Sequence, residues 1–159
     1  MADMERRSPQ TGAAFLLAQL GAHATSRYAA RVAELDLDPA LTGVLHLIAH
    51  EPGQSQQALA AKLGVAASRV VGLLDTLQSR KLLERRRDQG DRRNHALHLT
   101  EPGVRLLAQV RAVAIEHEAG LTAGLSRAEH DELTRLLRKV ADEQGLTPGV
   151  HPGYRNARR

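Results

Sequence analysis

A chain of 159 residues is long enough for one domain with a real core; with 2% aromatic residues and no Trp, that core must be Leu, Val and Ala packed between helices rather than a β-sandwich. The absence of cysteine excludes disulfides, zinc ribbons and thiol redox switches, and no apolar run approaches the ~18–20 residues of a membrane span. The net charge of +4 is unevenly spread, because residues 54–99 hold nine Lys/Arg against four Asp/Glu and leave the rest slightly acidic.

Residues 1–10 and 147–159 read as tails, the first polar, the second carrying Pro148, Gly149, Pro152 and Gly153 before its final arginines. Arg6-Arg7 followed by the apolar run 12–20 loosely mimics a signal peptide. Asp3 and Glu5 dilute the basic start and helical spacing continues past residue 24, so a cytoplasmic location is expected. A first helix is predicted over 12–34, with Phe15, Ala18, Ala22 and Ala29 among its packing positions. Asp38-Pro39, a cap followed by an N1 proline, opens a second helix. Its stripe is Leu41, Val44, Leu45 and Ile48, and Pro52-Gly53 ends it.

Ser55 caps a short third helix that turns Leu59, Ala60 and Leu63 inward. After Gly64-Val65, a fourth helix over 66–80 places Val70, Leu73, Leu74 and Leu77 at i, i+3, i+4 and i+7. A strand over 82–86 and a partner over 95–99, with Leu97 and Leu99 alternating with polar residues, form a hairpin. Thr100 is the predicted cap of a long fifth helix over 101–123, with Pro102 in its first turn. Ser126-Arg127-Ala128-Glu129 is a capping box, and the sixth helix is expected to bury Leu133, Leu136, Leu137, Val140 and Ala141.

Helices three and four form a helix-turn-helix pattern. Small Ala60 permits close approach, Gly64 the tight turn, and Leu74 and Leu77 anchor the second helix. That leaves Ala67, Ser68, Arg69, Gly72 and Thr76 facing outward. Arg69 can donate two hydrogen bonds to a guanine edge, and Ser68 can reach a base or a phosphate. A structural three-helix unit with solvated polar residues is the bland alternative. An arginine-tipped hairpin directly afterwards favours DNA, because this is the layout of a winged helix. Arg92 or Arg93 at the tip would enter the minor groove with Asp91 bracing an arginine, while Arg85, Arg86 and Arg87 would meet phosphates. The predicted DNA-binding set therefore runs Ser55, Gln57, Ser68, Arg69, Thr76, Arg85, Arg86, Arg87, Asp91, Arg92 and Arg93.

The stretch 41–103 resembles the multiple-antibiotic-resistance regulator (MarR) family of winged-helix transcription factors. Asp91-x-Arg93 followed by Leu99-Thr100-x-x-Gly103 matches that family's wing motif. Gln57-x-Leu59-Ala60-x-x-Leu63-Gly64-Val65 resembles the start of its helix-turn-helix, and Leu74-Asp75-x-Leu77 the end of its recognition helix. The resemblance implies a homodimer in which helices at 12–35 and 101–145 pair and space two DNA-binding lobes (38–100) on a palindromic operator. It also implies the minor-groove role of Arg93 and the bracing role of Asp91. The family often places polar or charged residues where this chain has Ala66, Ala67, Val71 and Gly72, so specificity is expected to lean on Arg69, the wing and DNA shape.

His46 and His50 lie i, i+4 on the second helix, a metal-compatible spacing, and His23 and His117 sit on helices near the same cleft. Without Cys or a tight histidine cluster, ordinary histidines are the preferred reading, and neither a metal nor a cofactor is expected. The resemblance suggests a ligand cleft between the dimer helices and the lobe, with Arg27, Tyr28, Arg31 and His46 as candidate lining groups. No phosphate loop or activated nucleophile is present, so no enzyme is expected, and Ser68 is a docking residue. The expected protein is mainly α: six helices plus a β-hairpin wing, a winged helix-turn-helix with flanking dimerisation helices. Its expected work is transcriptional repression. Expected partners are double-stranded DNA, a second copy of itself and a small-molecule effector, with no membrane. The rivals are a non-specific architectural DNA binder and a winged-helix protein-interaction module.

Overall fold

The structure, a computed structural model, describes residues 12–87 and 95–151, with the backbone alone at Arg87. Among the described residues six helices and one hairpin follow in chain order. They are α1 (Ala13–Ala33), α2 (Pro39–His50), α3 (Gln56–Leu63), α4 (Ala67–Ser79), β1 (Leu83–Arg87), β2 (His95–Leu99), α5 (Glu101–Leu121) and α6 (Arg127–Glu143). Each expected element is present, with ends shifted by one or two residues. The mainly α, winged helix-turn-helix architecture is thus the observed one.

The helix starts follow from short polar side chains that accept from exposed backbone N–H groups. Asp38 accepts from the Leu41 amide at 2.8 Å, Ser55 from Ala58 at 3.1 Å and Thr100 from Gly103 at 3.2 Å. At Ser126 the capping box is complete, since the Glu129 carboxylate accepts from the Ser126 amide at 2.8 Å. Gly64 takes a left-handed φ of 64° at the end of α3, and α3 and α4 cross at 115°, within the range of a helix-turn-helix.

The wing strands pair antiparallel from Leu83↔Leu99 to Arg87↔His95. A third piece of backbone completes this small sheet ahead of α3: Ser55 bridges Ala96, and the Leu97 amide donates to the Gln54 carbonyl at 3.0 Å. Behind the wing, the Thr100 hydroxyl donates to the Lys81 carbonyl at 2.6 Å and the Thr100 amide to the Leu82 carbonyl at 3.1 Å. Gly103 is needed there. A Cβ at that position would stand 2.1 Å from the Leu82 carbonyl oxygen, so only glycine lets α5 start against the wing.

A single core joins these pieces. Val44, Leu45 and Ile48 of α2, Leu59 and Leu63 of α3, Val70, Leu74 and Leu77 of α4, Leu97 of β2 and Val110 of α5 are wholly buried. Helix α1 adds only Val32. The sixth helix departs from expectation: Leu133, Leu136, Leu137 and Val140 are 40–45% exposed and α6 buries no residue within the chain. Phe15, Ala18 and Ala22 of α1 are likewise exposed rather than packed. The physical reason is geometric. No other element of the same chain packs broadly on these faces, so their periodicity marks an apolar face but not a neighbour within the protomer.

Candidate nucleic-acid interface and ligand cleft

Helix α4 turns Val70, Leu74 and Leu77 into the core, which fixes the opposite face outward. Ala67, Ser68, Gly72 and Thr76 are exposed there, and Arg69 is half-buried at the rim. Nothing lies within 4 Å of where a Gly72 side chain would be, so the centre of this face is open to a close surface. The Thr76 hydroxyl donates to the Gly72 carbonyl at 2.9 Å, and Ser79 does the same to Thr76 at 2.9 Å. Ser55 is occupied as the α3 cap, whereas Gln57 is exposed on the first turn of α3.

The basic cluster divides. Arg85 is turned toward the recognition helix, where its guanidinium donates to Asp75 Oδ1 at 2.7 Å and to Gln78 Oε1 at 2.6 Å. Arg86 pairs with Glu84, its Nε donating at 2.7 Å, and stays exposed. Arg85 therefore fastens β1 to α4, a role that its place in a run of arginines did not suggest, while Arg86 remains at the surface. Asp91, Arg92 and Arg93 lie outside the described residues. Arg80 is a residue that sequence reasoning missed. At the end of α4 it donates to the Asp36 carbonyl at 2.6 Å and the Leu35 carbonyl at 3.3 Å, tying the recognition helix to the α1–α2 turn. Its acceptors are backbone carbonyls more than forty residues away, which leave no side-chain signature.

A cleft of about 410 Å³ opens between α1, α2 and α5. Of the four predicted lining groups, Tyr28 and His46 face it. Arg27 and Arg31 do not: Arg31 is drawn into an ion pair with Glu116 of α5, and Arg27 is exposed on α1. Both arginines still act on the cleft through their charge. His117, which the prediction of the lining left out, lies beside Tyr28 with ring centroids 5.5 Å apart and the rings tilted by 51°, and Tyr28 donates to the Thr42 hydroxyl at 3.4 Å. Burial, then the Arg27 and Arg31 charges, holds the His117 imidazole below its ordinary pKa. Burial, then Arg111, does the same for His46. His117 Nδ1 is buried with no hydrogen-bond partner. Among the described residues no carboxylate lines the cleft; the charges of Arg27, Arg31 and Arg111 reach its imidazoles, and that of Glu118 reaches His117 in the opposite sense. Among the described residues, no three His, Asp or Glu side chains converge as a metal would require.

Residues 35–94 match the family model described as "MarR family". A relative from Thauera aromatica, named as the putative transcriptional regulatory protein for the hcr operon, is 36% identical over 110 residues. That match spans 69% of this chain and 66% of the relative. Among solved structures, the transcriptional repressor CouR bound to a 23-mer DNA duplex is 32% identical, with a TM-score of 0.75 over 86% of this chain and 96% of that one. CouR from Rhodococcus jostii RHA1 bound to p-coumaroyl-CoA is 26% identical, with a TM-score of 0.71 over 85% of this chain and 95% of the other.

Proposed function

This chain belongs to the MarR family of DNA-binding winged-helix transcription regulators, and from that premise we propose that it is a homodimeric repressor of a palindromic operator, released by an anionic aromatic ligand. The observation that carries the reading is the pairing of a self-contained lobe, its α4 face cleared for a groove, with unpaired leucine faces on α1 and α6. A two-fold pairing of those faces would set two α4 helices at a fixed spacing, which a palindrome mirrors. The dimer would block a promoter by occupying it. A ligand in the α1–α2–α5 cleft would shift the spacing, because α1 and α5 belong to the pairing arm and α2 to the lobe. The ligand class is supported by a histidine-lined cleft with no carboxylate among its described lining residues, and by p-coumaroyl-CoA in the related CouR. Binding, with no chemical turnover, is the whole of the proposed activity.

In this reading Ser68 and Arg69 discriminate bases, while Arg86, Arg87 and the wing-tip Arg92 and Arg93 supply phosphate and minor-groove contacts. Fluorescence anisotropy on the gene's own upstream DNA and on random DNA, from low to moderate salt, tests it. Arg69→Ala should lose ~1–3 kcal/mol on specific DNA and little on random DNA. Arg86→Ala should weaken both alike and flatten the salt slope by about one unit. Equal loss on both DNAs for Arg69→Ala would assign the recognition helix to positioning only. Equal wild-type affinity for specific and random DNA would favour an architectural binder, and no binding a protein-interaction module.

A further inference from the structure

The stretch after α6 reads from its Pro and Gly content as a tail, yet its first part is folded back onto the body of the protein. Gly149 takes a left-handed φ of 72°. The Val150 amide donates to the Thr147 carbonyl at 3.2 Å, which closes a turn. Val150 is half-buried against the same hydrophobic core that α2 and α5 share. This seating places Gly149 and His151 in the lining of the 410 Å³ cleft, with Tyr28, His46 and His117. Gly149 and His151 also border a second hollow whose other side is Arg138, Ala141 and Asp142 of α6. Residues 147–151 therefore stand between two spaces, as a wall does. They carry no carboxylate, and His151 is their one titratable side chain.

We infer that residues 147–151 form the outer wall of the ligand cleft and that His151 contacts the anionic group of an aromatic ligand held there. The inference rests on the ligand-responsive reading above. Three imidazoles then border one cavity from three separate elements, His46 from α2, His117 from α5 and His151 from the wall. Each offers an N–H to an anion, and the Tyr28 ring and the valine-seated turn supply apolar surface for its body. The wall lies outside residues 35–94, the stretch that matches the family model.

The experiment uses the full chain, histidine-resolved NMR and benzoate as the probe, with Val150→Asn, His151→Ala and Tyr28→Ala as variants. Without ligand, Val150→Asn should unseat the wall and let water reach the cleft, so His46 and His117 should titrate closer to the ordinary histidine value. Unchanged titration of both would overturn the wall. With benzoate, Val150→Asn and His151→Ala should each weaken binding at least fivefold. Wild-type affinity in both, alongside loss in Tyr28→Ala, would overturn the role of His151. If benzoate binding to Tyr28→Ala equals wild type, or wild type binds none, the ligand cleft itself fails. The contact by His151 falls with it, and the seating of the wall is then decided by the ligand-free titration.

Discussion

The lobe and the arm of this molecule are built from the same residues to opposite ends. In the lobe, Leu45, Leu59, Leu74, Leu77 and Leu97 are wholly buried by their own chain. In the arm, Leu16, Leu20, Leu133, Leu136 and Ile115 stand 40–71% exposed on helices whose caps and spacing are just as regular. Secondary structure is equally well specified in both regions, but only one of them finds its neighbours within the chain. Exposed apolar faces on regular helices are the usual mark of an interaction surface. The contrast predicts that the lobe is stable at any protein concentration and that the arm depends on pairing.

The largest effect should come from the lobe. Leu74→Ala removes a fully buried side chain and should cost ~2–5 kcal/mol in urea unfolding, at every protein concentration tested. A loss below 1 kcal/mol would mean that the core is softer than its burial implies. Leu136→Asp should act on the arm instead, by placing an unpaired carboxylate in an apolar contact. A rise of at least tenfold in the dimer dissociation constant, about 1.4 kcal/mol, is expected from sedimentation. A wild-type monomer at micromolar concentration would erase the contrast altogether.

Smaller effects sharpen it. A double-mutant cycle on Arg85 and Asp75 should return ~0.2–1 kcal/mol of coupling, since Asp75 is more than half exposed. Smallest, and of opposite sign at the α5–α6 join and in the cleft, is the response to pH. His130, at the join of α5 and α6, has its pKa raised by the hydrogen bond to Glu118. Its contribution is fully present below about 6.5 and is lost as pH rises through the raised folded value. His46 and His117 have lowered values, so their contribution is present above about 6.5 and is lost as pH falls through those values. Urea unfolding from pH 5 to pH 8 should show His130→Gln losing stability mainly at the acidic end. A His46→Gln, His117→Gln pair should flatten the acidic decline.

Much of the fold was legible because its signals are local. Asp38, Ser55, Thr100 and Ser126 cap the helices their spacing predicts, and the alternation of Leu97 and Leu99 sets the face of β2. The wing motif ends in a glycine whose reason is visible only in three dimensions, as the close approach of Leu82. The candidate site was less legible. Arg85 and Arg86 are neighbours in one run, yet one is claimed by α4 and the other is not, because the strand sends them to opposite faces. Arg31 reads as a cleft residue until Glu116, 85 positions later, takes it. His117 and His151 reach the cleft through tertiary packing that no periodicity encodes. The leucine spacing of α6 tells which face is apolar, and nothing in one chain tells what meets it.

The backbone joint between Leu82 and the start of α5 has a mechanical consequence. Thr100 donates to the carbonyls of both Lys81 and Leu82, and Gly103 sits flush against the same turn, so no side chain is available to yield there. The 21 residues of α5 make a rod of about 30 Å fixed to the wing at one end. Tilting such a rod by ~5° displaces its far end by roughly 3 Å, and the joint turns with it. Arg85 links the wing to α4, so a turn of the joint is passed toward the recognition helix. Groove contacts made by the helix and by the hairpin would then be aligned or misaligned together.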